Sequence, residues 1–264
     1  MSKEIVIHEL DISRMIGPFS ESDFTNPMVL LCLGKRGSGK SVLVKDLIYR
    51  KRHIIPTIQV YSGSEAANGF YKEFIPDIFI FDELSKNNMQ YVDNFIKRQK
   101  LAKQYFVPAG VNPFALMVID DSGADLKWTK HPSVHTLVRN GRHIAMNLII
   151  ALQYAMDLPP EIRSNLDGVF VFKDNILANR KRLYEQYVGN IDGLTFNDFC
   201  TIMDRITEDY TALYINTKPT KNNSIQDVLF YYKANPQASK GFRFGCEELK
   251  KFHDARRSAQ EFGV

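Results

Sequence analysis

The chain has 264 residues, 44% of them hydrophobic and 24% charged, with a formal net charge of +4. Those proportions suit a globular protein with a full core and exclude a surface coated throughout in positive charge, so any DNA contact must come from local clusters. Cys32, Cys200 and Cys246 form neither a disulfide framework nor a zinc spacing and fit a reducing compartment, and no apolar run reaches the ~18 residues that a bilayer span needs.

Residues 1–10 carry Lys3, Glu4, His8 and Glu9 and no apolar h-region. Residues 1–27 therefore read as an N-terminal extension, not a secretory signal, and the expectation is a soluble intracellular protein without membrane insertion. Residues 28–33 are continuously apolar, as in a strand buried on both faces. A glycine-rich turn follows, then a helix over 39–52. Residues 57–61 and 77–81 read as strands. Residues 85–103 read as an amphipathic helix capped by Ser85, with Tyr91, Phe95, Ile96 and Leu101 inside and Lys97, Arg98, Lys100 and Lys103 outside. Residues 114–119, 147–152 and 169–172 are further apolar strands. Helices over 176–188 and 195–206 follow, and residues 211–215 end the sheet pattern. From Lys218 the chain is more polar and carries Pro219 and Pro236, so 217–264 reads as a partly ordered C-terminal arm. The alternation predicts an α/β fold in one domain over 28–216, its mostly parallel central sheet flanked by helices.

Gly34, Lys35, Arg36, Gly37, Ser38, Gly39, Lys40 and Ser41 match G-x-x-x-x-G-K-[ST], between a strand and a helix as the chemistry requires. Glycines let the backbone wrap phosphates, and the N–H groups of the loop and helix start point at negative charge. Lys40 is expected to reach the β- and γ-phosphates of ATP, and Ser41 to bind Mg²⁺.

Two strands end in acidic pairs, Asp82-Glu83 and Asp120-Asp121. The second is preferred. Its strand is longer and more apolar, Ser122 and Gly123 follow as a compact turn, and another buried strand with a polar end comes after it. Asp82 and Glu83 read as acids at a helix N-terminus, where the dipole favours them. Asp120 then helps to hold Mg²⁺, and Asp121 orients or deprotonates the attacking water. An Asp is about 1.5 Å shorter in reach than a Glu, so that water must sit deep or be helped by another group.

Gln153 ends the 147–152 strand, where ligands gather in parallel sheets, and its amide can both donate and accept. Arg139, Arg142 and Arg163 are three candidates for a finger acting on a neighbouring subunit's nucleotide. His131 and His135 lie four apart, but Pro132 intervenes and no third ligand is near, so zinc is not expected. Lys97, Arg98 and Lys100, and Lys250, Lys251, Arg256 and Arg257, could meet DNA phosphates, although a solvated helix face is the plainer reading.

The order of Gly34 to Ser41, Asp120-Asp121, the Asn140, Gly141, Arg142, His143 run, Gln153-Tyr154, Pro159-Pro160, and Arg163 two before Asn165 resembles the genome-packaging ATPases of the large nucleocytoplasmic DNA viruses. This poxvirus-type packaging ATPase is similar to the FtsK–HerA group of P-loop DNA pumps. The resemblance covers about residues 28–215. It implies that 28–216 is a RecA-like P-loop NTPase core, and that a ring of identical subunits, a pentamer or hexamer, pumps double-stranded DNA into a capsid with ATP and Mg²⁺. It also implies capsid or portal partners and a place at virus assembly sites in the host cytoplasm. By it, Asp120 and Asp121 match the second acidic motif, Gln153 the sensor strand and Arg142 the Asn-Gly-Arg-His element. A P-loop small-molecule kinase and a nucleotide-gated capsid scaffold remain alternatives.

Overall fold

Segments that are apolar without alternation pair with one another in the middle of one sheet. The computed structural model describes residues 5–12, 27–123, 125–218 and 223–261. Its strands are β1 (His8–Glu9), β2 (Val29–Leu33), β3 (Thr57–Ser62), β4 (Ile80–Phe81), β5 (Ala115–Asp120), β6 (Met146–Leu152), β7 (Gly168–Val171), β8 (Thr211–Asn216) and β9 (Leu229–Lys233). Their order is β1-β9-β8-β7-β2-β6-β5-β3-β4. From β7 to β4 every pairing is parallel, with β2 between β6 and β7. β8 runs antiparallel to β7 and to β9, and β1 is parallel to β9. Parallel neighbours need long crossovers, and helices supply them.

The α-helices are α1 (Lys40–Lys51), α2 (Glu65–Asn68), α3 (Met89–Phe106), α4 (Pro132–Asn140), α5 (Pro160–Arg163), α6 (Leu177–Leu183), α7 (Phe196–Ile206), α8 (Ile225–Val228) and α9 (Glu247–Glu261). Successive strand residues point to opposite faces, so each central strand feeds two cores. Leu31, Leu33, Met117, Ile119, Leu148 and Ile150 pack with Val92 and Phe95 of α3, Leu137 of α4 and Phe199 of α7. Leu30, Cys32, Leu116, Val118, Ile149 and Ala151 pack with Leu43, Val44, Leu47 and Ile48 of α1. Each fully buried Leu, Ile, Val, Met or Phe among them contributes about 1.5–3 kcal/mol.

Three sequence expectations need correction. The sheet does not end at β8: β9, within the stretch read as an arm, pairs along β8 from Thr211–Lys233 to Ile215–Leu229. Residues 77–81 are mostly a 3₁₀ turn (Asp77–Phe79), leaving a two-residue edge strand. The helix expected from Ser85 begins at Met89, behind Asn88. Its buried face is Met89, Val92, Phe95, Ile96, Gln99 and Ala102, whereas Tyr91 and Leu101 are exposed.

Candidate phosphate and metal site

β2 delivers the phosphate loop at its carboxyl end, where the Gly34 N–H donates to the Leu152 carbonyl at 3.2 Å. Gly34 leaves no room for a side chain, because a Cβ would press on Ser38 and lie 2.9 Å from Phe172 Cβ. Gly39, at φ +100°, adopts a left-handed conformation that glycine takes without steric cost. The chain then enters α1 at Lys40 with no side-chain cap, so the first N–H groups of the helix are available to an anion. Lys40 Nζ donates to the carbonyls of Gly34 at 2.5 Å and Lys35 at 3.1 Å, which bends the ammonium across the loop. Burial lowers the Lys40 pKa, and the carboxylates of Asp120 and Asp121 oppose that shift.

β5 carries the acids to the same end of the sheet. Asp120 is buried, and its Oδ2 accepts from Tyr71 Oη at 2.8 Å and from Ser41 Oγ at 3.4 Å. Burial raises its pKa, while the Tyr71 hydrogen bond and Lys40 pull it down. The serine hydroxyl and the carboxylate are hard oxygen donors on one spot, a set that suits Mg²⁺ with several retained waters.

Asp121 sits just past the strand at φ +52°, unusual for a residue with a side chain. Its N–H donates to the Ala151 carbonyl at 3.2 Å, and its Oδ1 accepts from Gln153 Nε2 at 3.4 Å. Gly63 lets this turn close, since a Cβ there would collide with the Asp121 carbonyl. The Gln153 amide thus meets an exposed Asp121 carboxylate at the mouth of the loop, which can orient water.

Tyr71 carries no motif and was not anticipated from the sequence. It is held by Glu65, a buried carboxylate of α2 that accepts the Tyr71 N–H at 2.9 Å and the Lys72 N–H at 2.8 Å. The only trace in the sequence is an acid six residues before an aromatic, which is too common to read.

Lys40, Ser41, Asp120, Asp121 and Gln153 therefore converge. Arg142 does not join them. It donates to Asp167, which also accepts from Lys218 Nζ at 2.6 Å and from the Val29 N–H at 2.7 Å. Val29 opens β2, so Arg142 lies at the amino end of the sheet, a five-residue strand or about 16 Å from the loop. Arg139 is exposed in the last turn of α4. Arg163 is buried, with Nη1 donating to the Leu158 carbonyl at 2.5 Å.

Asp82 and Glu83 are not helix-terminal acids. They follow the edge strand β4, six and five residues before Asn88 precedes α3, whose first turn holds no acid. His131 caps α4 by accepting the Ser133 N–H at Nδ1, 3.3 Å away, and His135 Nδ1 lies 3.2 Å from the Glu161 carboxylate.

The family profile described as poxvirus A32 protein matches residues 19–178. The chain belongs to the poxvirus A32 protein family. Protein 088R of Invertebrate iridescent virus 3 is 44% identical over 94% of this chain and 93% of its own length. Protein 015R of Frog virus 3 is 38% identical over 84% of this chain and 66% of its own. Among solved structures, the genome packaging NTPase B204 of Sulfolobus turreted icosahedral virus 2 in complex with AMPPCP aligns with a TM-score of 0.57 at 16% identity. It covers 79% of this chain and 98% of that one. At that identity the likeness concerns the fold, a P-loop NTPase core with a mostly parallel sheet. No helix among the described residues of this A32 family chain is long and apolar enough to cross a membrane.

Proposed function

We propose that this chain is the ATP-hydrolysing subunit of a motor that drives double-stranded viral DNA into a preformed capsid. The observation that carries the reading is the meeting of Lys40, Ser41, Asp120, Asp121 and Gln153 at the carboxyl ends of β2, β5 and β6 in a poxvirus A32 family chain. The loop backbone and Lys40 bind the β- and γ-phosphates of ATP. Ser41 and Asp120 would hold Mg²⁺, which neutralises charge between those phosphates. Asp121 positions or deprotonates the attacking water, and Gln153 steadies Asp121 from the next strand.

An arginine from a neighbouring subunit completes the charge stabilisation in a homo-oligomeric ring, a pentamer or hexamer. Arg139 and Arg142 are the exposed candidates, and Arg142 must first leave Asp167. Capsid or portal proteins are the expected docking partners, at the virus assembly site in the host cytoplasm.

The test is phosphate release with and without duplex DNA for wild type, Lys40→Ala and Asp121→Asn. Duplex DNA should raise the wild-type rate, and the gain should fall steeply with salt. Each substitution should lower the rate by on the order of 10²-fold or more. Hydrolysis by an assembled ring that ignores duplex DNA at every salt concentration would overturn the motor, and undiminished hydrolysis by Asp121→Asn would overturn its catalytic role.

A further inference from the structure

The phosphate loop gives a bound nucleotide a direction. Asp121 and Gln153 stand over β5 and β6, on one side of β2, and mark the γ-phosphate end. The loop backbone and the start of α1 take the α- and β-phosphates. Ribose and base must therefore leave over the first turn of α1, away from β6 and toward β7 and β8.

The turn between α7 and β8 rises at that position. β8 is antiparallel to β7, with Val171 opposite Leu213, so its first residues reach the same end of the sheet as the phosphate loop. Asp209 and Tyr210 take φ of +54° and +61° in succession. Aspartate tolerates that conformation, but a bulky tyrosine adopts it at a cost, and such strain gathers at ligand clamps. Here the turn is fixed by the Thr211 N–H donating to the Glu208 carbonyl at 2.9 Å and by a Lys233–Asp209 ion pair at 3.0 Å.

The turn presents an aromatic ring to the loop. A methyl group on Gly39 would lie 3.5 Å from Tyr210 Cδ1, yet Tyr210 is 68% exposed. The ring thus stands beside the last loop glycine, in the space a side chain there would face, and is still open to solvent. The next tyrosine along, Tyr214 within β8, is by contrast buried and packed against Phe170.

We infer that Tyr210 is the platform on which the nucleotide's purine base stacks, at the outer edge of the phosphate loop. This rests on the phosphate-loop reading above and extends it to the half of the ligand that reading leaves unassigned. The turn sets the backbone of Tyr210 beside the loop before the ligand arrives, which limits the ordering cost to the side chain. Stacking uses the π-face that every base has, so the platform discriminates poorly between ATP and GTP.

The test separates base from phosphates by titrating ATP and inorganic tripolyphosphate against wild type, Tyr210→Gly, Tyr210→Phe and Lys40→Ala. Tyr210→Gly removes the ring and relaxes the left-handed backbone, so it should melt at or above the wild-type temperature. It should weaken ATP on the order of 10-fold and leave tripolyphosphate unchanged, while Tyr210→Phe binds both like wild type. As a direct reading, the indole introduced by Tyr210→Trp should be quenched by ATP and not by tripolyphosphate. Wild-type ATP affinity in Tyr210→Gly, with ATP binding lost in Lys40→Ala, overturns the platform and spares the phosphate loop. Unchanged binding of both ligands in Lys40→Ala overturns the phosphate loop reading and the platform with it.

Discussion

The Tyr71 hydroxyl, fully buried, donates to the same Asp120 oxygen, Oδ2, that meets Ser41, and so fixes how the carboxylate is turned. A hydrogen bond to a charged acceptor contributes about 1.5–3 kcal/mol, and here it selects one orientation of Oδ2 beside Ser41. Tyr71→Phe keeps the ring and its packing against Phe70 and Phe74 while deleting that bond. The expected result is a Mg²⁺ midpoint raised about 3- to 10-fold in Mg²⁺-dependent ATP binding, with metal-free ATP binding unchanged. An unaltered midpoint would remove Tyr71 from the site. The motif residues were legible because the loop and the acidic strand end each carry their chemistry within a few positions. Tyr71 was not, because it arrives from 49 residues away through a local bond to Glu65.

At the scale of elements, α3 shows where apolar periodicity misleads. Tyr91 is apolar enough to be counted inside, but it lies outside against Phe81, with ring centroids 5.1 Å apart. Gln99 takes a core position instead, its amide donating to the Pro113 carbonyl. Ser85 Oγ accepts the Asn87 N–H at 3.3 Å within a turn instead of capping the helix, which starts four residues later. α1 contains a comparable surprise. Lys51, in its last turn, is buried, and burial lowers its amine from 10.5 to about 8. Between those values the unfolded chain holds a proton that the native state has released, so stability from this group rises with pH across the window. At pH 7 the penalty is fully present. Lys51→Met should therefore gain up to about 3 kcal/mol at pH 7, an upper bound, and the advantage should shrink toward pH 10. Urea melts of both proteins at pH 7 and pH 10 measure it; a variant less stable than wild type at both would show that the amine's contacts outweigh its desolvation.

For the whole molecule, the central parallel strands were readable, though not their order, because strands buried on both faces leave unbroken apolar runs. The outer strands β1 and β9 were not, since β1 has only two residues and β9 lies beyond a polar stretch with Pro219. Yet residues beyond 216 brace the site. Tyr232 donates to the buried Asp46 of α1, the Phe244 N–H donates to the Phe74 carbonyl at 2.7 Å, and His253 Nε2 accepts the Asp77 N–H at 3.1 Å. Two of these contacts grip the segment that carries Tyr71. Leu229, Tyr232 and Phe244 are buried, and losing about 1.5–3 kcal/mol for each approaches the 5–15 kcal/mol by which a domain is stable. A chain cut after Thr217 also bares the backbone edge of β8, which invites aggregation. That truncation should lack a cooperative urea transition and near-ultraviolet circular dichroism. A chain cut after Gly245 retains β9 and Phe244, forfeits α9 with the Arg243–Asp254 pair, and should still unfold cooperatively at a lower midpoint. Cooperative folding of the shorter chain would mean that β8 can serve as a sheet edge and that 28–216 is a self-sufficient core.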